Sequence, residues 1–257
     1  MWHDEAFSAY LIKYSWGEMF YRIGLDVHPP MYYIFLRLWA SMFGDSVVAL
    51  RSLSAIFGAA SVWAGWSFAK ESFKNEKVAI WAALLIAINP FQLLYVTEAR
   101  MYTMGAFFAL LGAYFLVKAL HAQKQYISGK VLNMPNLPED IKLRRVYFLN
   151  YLGFILSMGI IIQTHYYLLF TAFALCLYAL IYHLAHYKLE WRRYVLLLTS
   201  YILIVITFLP WLKSFMYQYR QVQAGYWIDT INRWSIPSTL WDMLLGIGKD
   251  VTNPSVK

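Results

Sequence analysis

Charge is scarce in this sequence. Asp, Glu, Lys and Arg make up 14% of its 257 residues and hydrophobic residues 60%, against about 25% and about 45–50% in an ordinary soluble domain. A plain water-soluble enzyme is thereby excluded. Cysteine is almost absent: Cys176 stands alone in an apolar stretch, so no internal disulfide can form and the count says nothing of compartment. Three signatures are missing as well: a Gly-rich phosphate loop of the Walker or Rossmann kind, HExxH, and Gly-x-Ser-x-Gly. Their absence argues against nucleotide-driven work. The first residues, Met1 to Glu5, also lack the basic and apolar regions of a cleavable signal peptide.

What is abundant is long apolar sequence. Six stretches of 18 to 23 residues, at 47–69, 78–96, 101–120, 146–163, 166–183 and 194–212, are nearly free of charge. Each is long enough to cross a hydrocarbon core of about 30 Å as a helix. The expected fold class is an all-α integral membrane protein with about six spans. A shorter run, 31–43, has 13 residues including Arg37 and predicts an interfacial or re-entrant helix. The expected organisation is an outer-face region at 1–46, a six-span bundle at 47–212 and an outward tail at 213–257.

The net charge of +8 would raise the question of nucleic acid in a soluble protein, but here it follows topology. Segments 70–77, 122–145 and 184–193 hold three, five and three basic residues, whereas 97–100 holds only Arg100 and the turn at Thr164 and His165 holds none. The positive-inside rule puts the three basic loops in the cytoplasm. The N-terminal region and the tail then face outward, which predicts a multi-pass cell-membrane protein with an extracytoplasmic working face. The 11 Trp, 21 Tyr and 17 Phe, many near span ends, suit the headgroup level and are read as membrane surface.

Asn89-Pro90 and Pro210 predict bends near span ends. Ser54 with Gly58, and Ser61 with Gly65, have the small-xxx-small spacing that lets a neighbouring helix approach closely. No internal repeat is evident. Segment 122–145, with Gly129, Pro135 and Pro138, predicts a flexible connection.

All the unusual polar clusters fall on the predicted outer face. They are Asp4-Glu5, Asp26-Val27-His28-Pro29-Pro30, Glu98-Ala99-Arg100 and Thr164-His165. A bundle with one outward polar cavity would bring these four segments together. Asp4-Glu5 could equally cap a helix whose apolar face is Phe7, Tyr10, Leu11 and Tyr14. Asp26 and His28, two apart before a rigid Pro-Pro, offer a metal or phosphate site or simply a turn into a helix. With His165 on the same face, they could hold a divalent cation. Glu98 and Arg100 end an apolar span, where charge is costly unless paired or wet.

Taken in order, these segments resemble the GT-C glycosyltransferases that use lipid-phosphate sugars. The group most similar is the dolichyl-phosphate-mannose protein mannosyltransferase family with its bacterial relatives, such as the lipid A aminoarabinose transferases. The resemblance rests on Asp4-Glu5, His28-Pro29-Pro30-Met31-Tyr32-Tyr33, Phe43-Gly44-Asp45-Ser46 followed by 49–58, Asn89-Pro90-Phe91 and Glu98-Ala99-Arg100-Met101-Tyr102. It covers residue 4 to about residue 120; beyond that, hydropathy and Thr164-His165-Tyr166-Tyr167 carry it. Family members have a span before the Asp-Glu pair and several after the position of Leu212, so the resemblance implies a partial chain.

The resemblance implies an inverting transfer from a polyprenyl-phosphate sugar to a lipid, glycan or protein acceptor. Asp4 would be the general base with Glu5 in support. Arg100 would hold the donor phosphate, with Glu98, His28 and Tyr102 beside it. The one cofactor candidate is a divalent cation bound by Asp26, His28 or His165, which would neutralise the remaining charge as a Lewis acid. Two other readings stand beside this one: a transporter or flippase of a lipid-linked substrate, and a non-catalytic membrane subunit. Transporters tend to place ionisable residues near the midplane of repeated halves. Here they sit at span ends on one face, which favours surface chemistry.

Overall fold

A computed structural model describes residues 3–131, 137–186, 191–224 and 233–245. Every regular element among them is helical. Before the first span come α1 (His3–Leu11), α2 (Trp16–Leu25) and α3 (Met31–Phe43). The bundle follows as α4 (Val47–Phe73), α5 (Glu76–Ile88), α6 (Pro90–Tyr95), α7 (Tyr102–Val131), α8 (Leu137–Ile162), α9 (Leu168–His186) and α10 (Trp191–Phe208). A single 3-10 turn, Leu209–Trp211, leads into α11 (Leu212–Ala224), and α12 (Ser235–Leu245) comes last. Among the described residues, five helical stretches are long and apolar enough to cross a membrane: Val47–Phe73, Tyr102–Gln125, Arg145–Ile162, Leu168–His186 and Tyr194–Gln223. The chain is a multi-span helical membrane protein.

The sixth expected span, 78–96, is not one helix. Pro90 has no N–H to donate and drives the residue before it out of the helical region. Asn89 accordingly has φ −61° and ψ 122°, ends α5, and caps α6 by accepting from the Gln92 N–H at 3.0 Å. The two pieces still run antiparallel to α4. A Cβ added to Gly65 would lie 2.1 Å from Ile86 Cδ1, and one added to Gly58 would lie 2.2 Å from Val96 Cγ1. Gln92 Nε2 donates to the Gly58 carbonyl at 3.3 Å, and the Ser54 hydroxyl donates to the Arg100 carbonyl at 3.2 Å. The small-residue spacing on α4 thus seats this broken helix, and 97–101 returns to the end where α4 began.

Two further expectations change. Segment 122–145 is mostly helix, α7 running to Val131 and α8 beginning at Leu137, because Pro138 falls in a first turn where its missing N–H has no helical partner to lose. Pro210 fits into the 3-10 turn, and the helix continues beyond Leu212 instead of ending there. Pro135, Lys188, Tyr226 and Trp227 lie outside the described residues.

The core has two parts. One joins α7, α8, α9 and α10 around Leu116, Tyr151, Phe154, Met158 and Leu197. The other joins α1, α2, α3 and the start of α4 to Met101, Met104 and Trp211. The candidate site lies at the end of the bundle occupied by this second part.

Candidate active site

Helix α1 presents two adjacent carboxylates in opposite directions. Consecutive helical side chains are about 100° apart, so one can face the core and its neighbour solvent. Glu5 is fully buried together with Ser8 and Leu11, while Tyr10 is exposed. The face expected from Phe7, Tyr10, Leu11 and Tyr14 is therefore rotated towards Glu5 and Ser8.

Glu5 accepts a bidentate pair from Arg51, Nε at 2.9 Å and Nη2 at 2.7 Å, and Ala99 N–H donates to its Oε1 at 2.9 Å. One carboxylate therefore joins α1, α4 and the 97–101 segment. Glu5, expected to support Asp4, is fully buried and bound on both oxygens. Sequence reasoning missed Arg51 as its partner. The signal was present: an arginine in the first turns of an apolar span needs a counter-charge.

Asp4 points the other way. Its side chain is 61% exposed, and its Oδ2 lies 3.4 Å from Nη2 of Arg100, whose side chain is 5% exposed. Arg100 Nη1 also donates to the Asp4 carbonyl at 3.4 Å. Glu98, expected beside the donor, is buried and close enough to Arg51 to act on its charge.

From Arg100 the site continues as a band of rings. The guanidinium carbon is 5.9 Å from the Tyr102 ring centre, Tyr102 is 5.9 Å from His165, and His165 is 5.7 Å from His28. His28 Nδ1 bonds Asp26 Oδ2 at 2.9 Å. The structure therefore brings Asp4, Arg100, Tyr102, His165, His28 and Asp26 into one continuous string.

Helices from elsewhere hold this string. Met31 N–H donates to the Gln163 carbonyl at 2.9 Å, tying the loop before α3 to the turn that carries His165. Gln218 on α11 donates to the Ile23 carbonyl at 2.7 Å and to the His28 carbonyl at 3.5 Å, and it pairs with the Tyr166 hydroxyl. Trp211 Nε1 donates to that hydroxyl at 3.0 Å. Gln218 was not legible in the sequence, since nothing in an amphipathic stretch marks one glutamine as a clamp.

The electrostatics follow from burial. His165 is held down at about 4 by burial, by His28 and by Arg100, so near neutrality it is an uncharged imidazole. Its Nδ1 accepts from the Tyr167 N–H at 3.2 Å, which leaves the proton on Nε2. Burial raises the Tyr33 hydroxyl far above its usual range, with Asp26 adding to the effect. That hydroxyl has no hydrogen-bond partner among the described residues.

Asp26, His28 and His165, the expected cation ligands, lie along this string. His28 Nδ1 is occupied by Asp26, His165 Nδ1 by a backbone N–H, and the two rings meet at an interplanar angle of 61°. Among the described residues, no three His, Cys, Asp or Glu side chains are grouped to hold an ion.

The ordered motifs and this geometry can be compared with known proteins. Residues 27–132 match the family model of the dolichyl-phosphate-mannose-protein mannosyltransferases. The matched segment runs from the residue before His28, through α3 to α6, Arg100 and Tyr102, to the end of α7; Asp4 and Glu5 precede it and His165 follows. Over this stretch the resemblance read from the sequence holds, and it supports a membrane glycosyltransferase of the GT-C type. No significant match was found among curated proteins or solved structures.

Proposed function

We propose that the chain transfers a sugar from a polyprenyl-phosphate carrier to an acceptor at the extracytoplasmic face, with inversion and with Asp4 as general base. The observation that carries this reading is the contact between an exposed carboxylate and a buried guanidinium, Asp4 and Arg100 at 3.4 Å. Arg100 offers a planar fork suited to a phosphate. A donor phosphate entering there displaces the Asp4 carboxylate and frees it for the acceptor hydroxyl. Asp4 then takes the acceptor proton as the acceptor oxygen bonds to the anomeric carbon. The bond from that carbon to the phosphate oxygen breaks, and its electrons leave with the lipid phosphate. A phosphomonoester with a second pKa of about 6 needs no general acid to depart.

Neutral His165, Tyr102 and His28 continue from Arg100 as a polar wall for the sugar. Beyond them, an apolar cavity of about 370 Å³ lies between α9 and α10. Ile162 and Leu169, which flank the His165 turn, line it together with Phe173, Cys176 and Val205. The lipid chain of the donor takes that groove, with its phosphate at Arg100.

The test is transfer of label from a radiolabelled polyprenyl-phosphate sugar in membranes holding the protein, beside Asp4→Asn and Arg100→Ala. Asp4→Asn should cut transfer about 100- to 10,000-fold, the span of a general base, with membrane insertion unchanged. Unaltered transfer in Asp4→Asn would remove the base. Movement of the lipid-linked sugar across the bilayer without a new glycosidic bond would replace the reading by a flippase.

A further inference from the structure

The opposite end of the bundle carries a second polar cavity that the proposed transfer does not use. It has a volume of about 310 Å³ and lies between α4, α7 and α8. Helix α7 spans the distance between the two. Tyr102 sits at the candidate active site, and Lys118, His121 and Lys124 lie sixteen to twenty-two residues further along, about 24–33 Å at the helical rise.

The charges in this cavity do not balance. Among the described residues Glu71 is its one carboxylate, and that group is already engaged by Lys74 and by His121 Nδ1 at 2.8 Å. Lys118 is half-buried; its ammonium donates to the Tyr114 hydroxyl at 2.7 Å and lies 5.1 Å from that ring. Among the described residues, neither Lys118 nor Lys124 has a carboxylate partner. Three lysines thus face one glutamate in a cavity of ligand size. A half-buried ammonium without a counter-ion is poorly solvated, and an anion would relieve it.

We infer that this cavity binds the phosphate of an anionic membrane lipid. A phosphate-bearing anion suits the lysines, and the cavity's border selects the lipid as its source. Ala122 of α7 and Leu143 and Val146 of α8 form an apolar wall beside the lysines, where the glycerol and the first methylenes of a lipid would lie. Basic pockets between spanning helices at a membrane surface hold lipid headgroups in this way. The inference is independent of the proposed transfer, because no residue of the cavity belongs to the candidate active site.

The experiment is native mass spectrometry of the purified protein titrated with phosphatidylglycerol, phosphatidylcholine or inorganic phosphate. Wild type should retain phosphatidylglycerol in preference to phosphatidylcholine. At about fivefold in affinity per lysine near a membrane surface, K118Q and K124Q should each weaken that retention about fivefold and the double variant about 25-fold. K118R should restore it. K77Q makes the same charge change on α5, outside the cavity, and should stay within about twofold of wild type. Equal retention by all variants would overturn the inference. Binding of inorganic phosphate alone, with the same dependence on Lys118 and Lys124, would overturn the assignment to a lipid. The charge-state distribution of each spectrum reports whether the variant is folded, so a variant that fails to fold is distinguished from one that fails to bind.

Discussion

The two ends of the bundle are held together in different ways. At the candidate active site the ties are long-range. Glu5 reaches Arg51 and Ala99 across 46 and 94 residues, and Gln218 reaches Ile23 across 195. At the other end they are mostly local and wet: Lys70 pairs with Glu76 at 2.9 Å with both side chains about half exposed, and Lys74 pairs with Glu71 three residues away. Helical hairpins close the second end by themselves. The first end exists only when segments from across the chain have met, so its geometry is sensitive to single residues in a way the other is not.

Substitution at matched ion pairs breaks this comparison most directly. Glu5→Gln removes the nearest counter-charge of Arg51, and breaking a pair whose carboxylate is buried and whose guanidinium is 37% exposed should cost about 2–3 kcal/mol. The same change should lower transfer by displacing the 97–101 segment that carries Arg100. Lys70→Gln at the far end should cost less than about 1 kcal/mol, as for an exposed pair. Thermal unfolding of both variants in one detergent checks this, and equal losses would erase the distinction between the ends.

Glycines on α4 sharpen it further. A methyl at Gly58 meets Val96 Cγ1, a branched side chain with little freedom, whereas one at Gly65 meets the terminal Cδ1 of Ile86, which can turn aside. Gly58→Ala should therefore destabilise by about 2 kcal/mol through overpacking, and Gly65→Ala by less. A larger loss at Gly65 would mean that α5, not α6, is the tightly seated piece.

A further effect, confined to acid conditions, concerns pH. His165 has a folded-state value of about 4 against an ordinary 6.5, so between these values the unfolded chain binds a proton that the folded one refuses. Stability is complete above about pH 6.5 and falls as pH drops towards 4, by on the order of 2 kcal/mol. His165→Asn should lose this part of the acid sensitivity. Parallel stability curves for the variant and the wild type between pH 7 and 4 would show that the imidazole is protonated in the fold.

Much of the architecture is legible in the sequence because hydrophobicity and chain length are local properties. Four expected spans lie within helices of the bundle, the fifth is passed through without a stop at Pro210, and the convergence of the polar segments followed from alternating loop charge. The division of 78–96 was not legible. Pro90 marked a bend, but apolar residues on both sides kept the hydropathy high, and the capping role of Asn89 emerges only with Gln92 in place. Nor could sequence say which of Asp4 and Glu5 turns inward. Periodicity favoured Phe7 and Tyr10 as the buried face, whereas the charge of Arg51, on another helix, decides in favour of Glu5. Arg51 marks the need for a counter-charge, but local pattern does not say which distant residue meets it.

The hydrogen bonds from Gln218 to Ile23 and His28 also set a schedule for biosynthesis. At about 5–20 residues per second, the 195 residues between Ile23 and Gln218 take some 10 to 40 seconds to make. Throughout that interval the Asp26–His28 loop has emerged without the side chain that clamps it. A nascent chain would therefore remain unable to complete the wall beside Arg100 until the far end of the last span reaches the membrane, and half-made molecules would be idle ones.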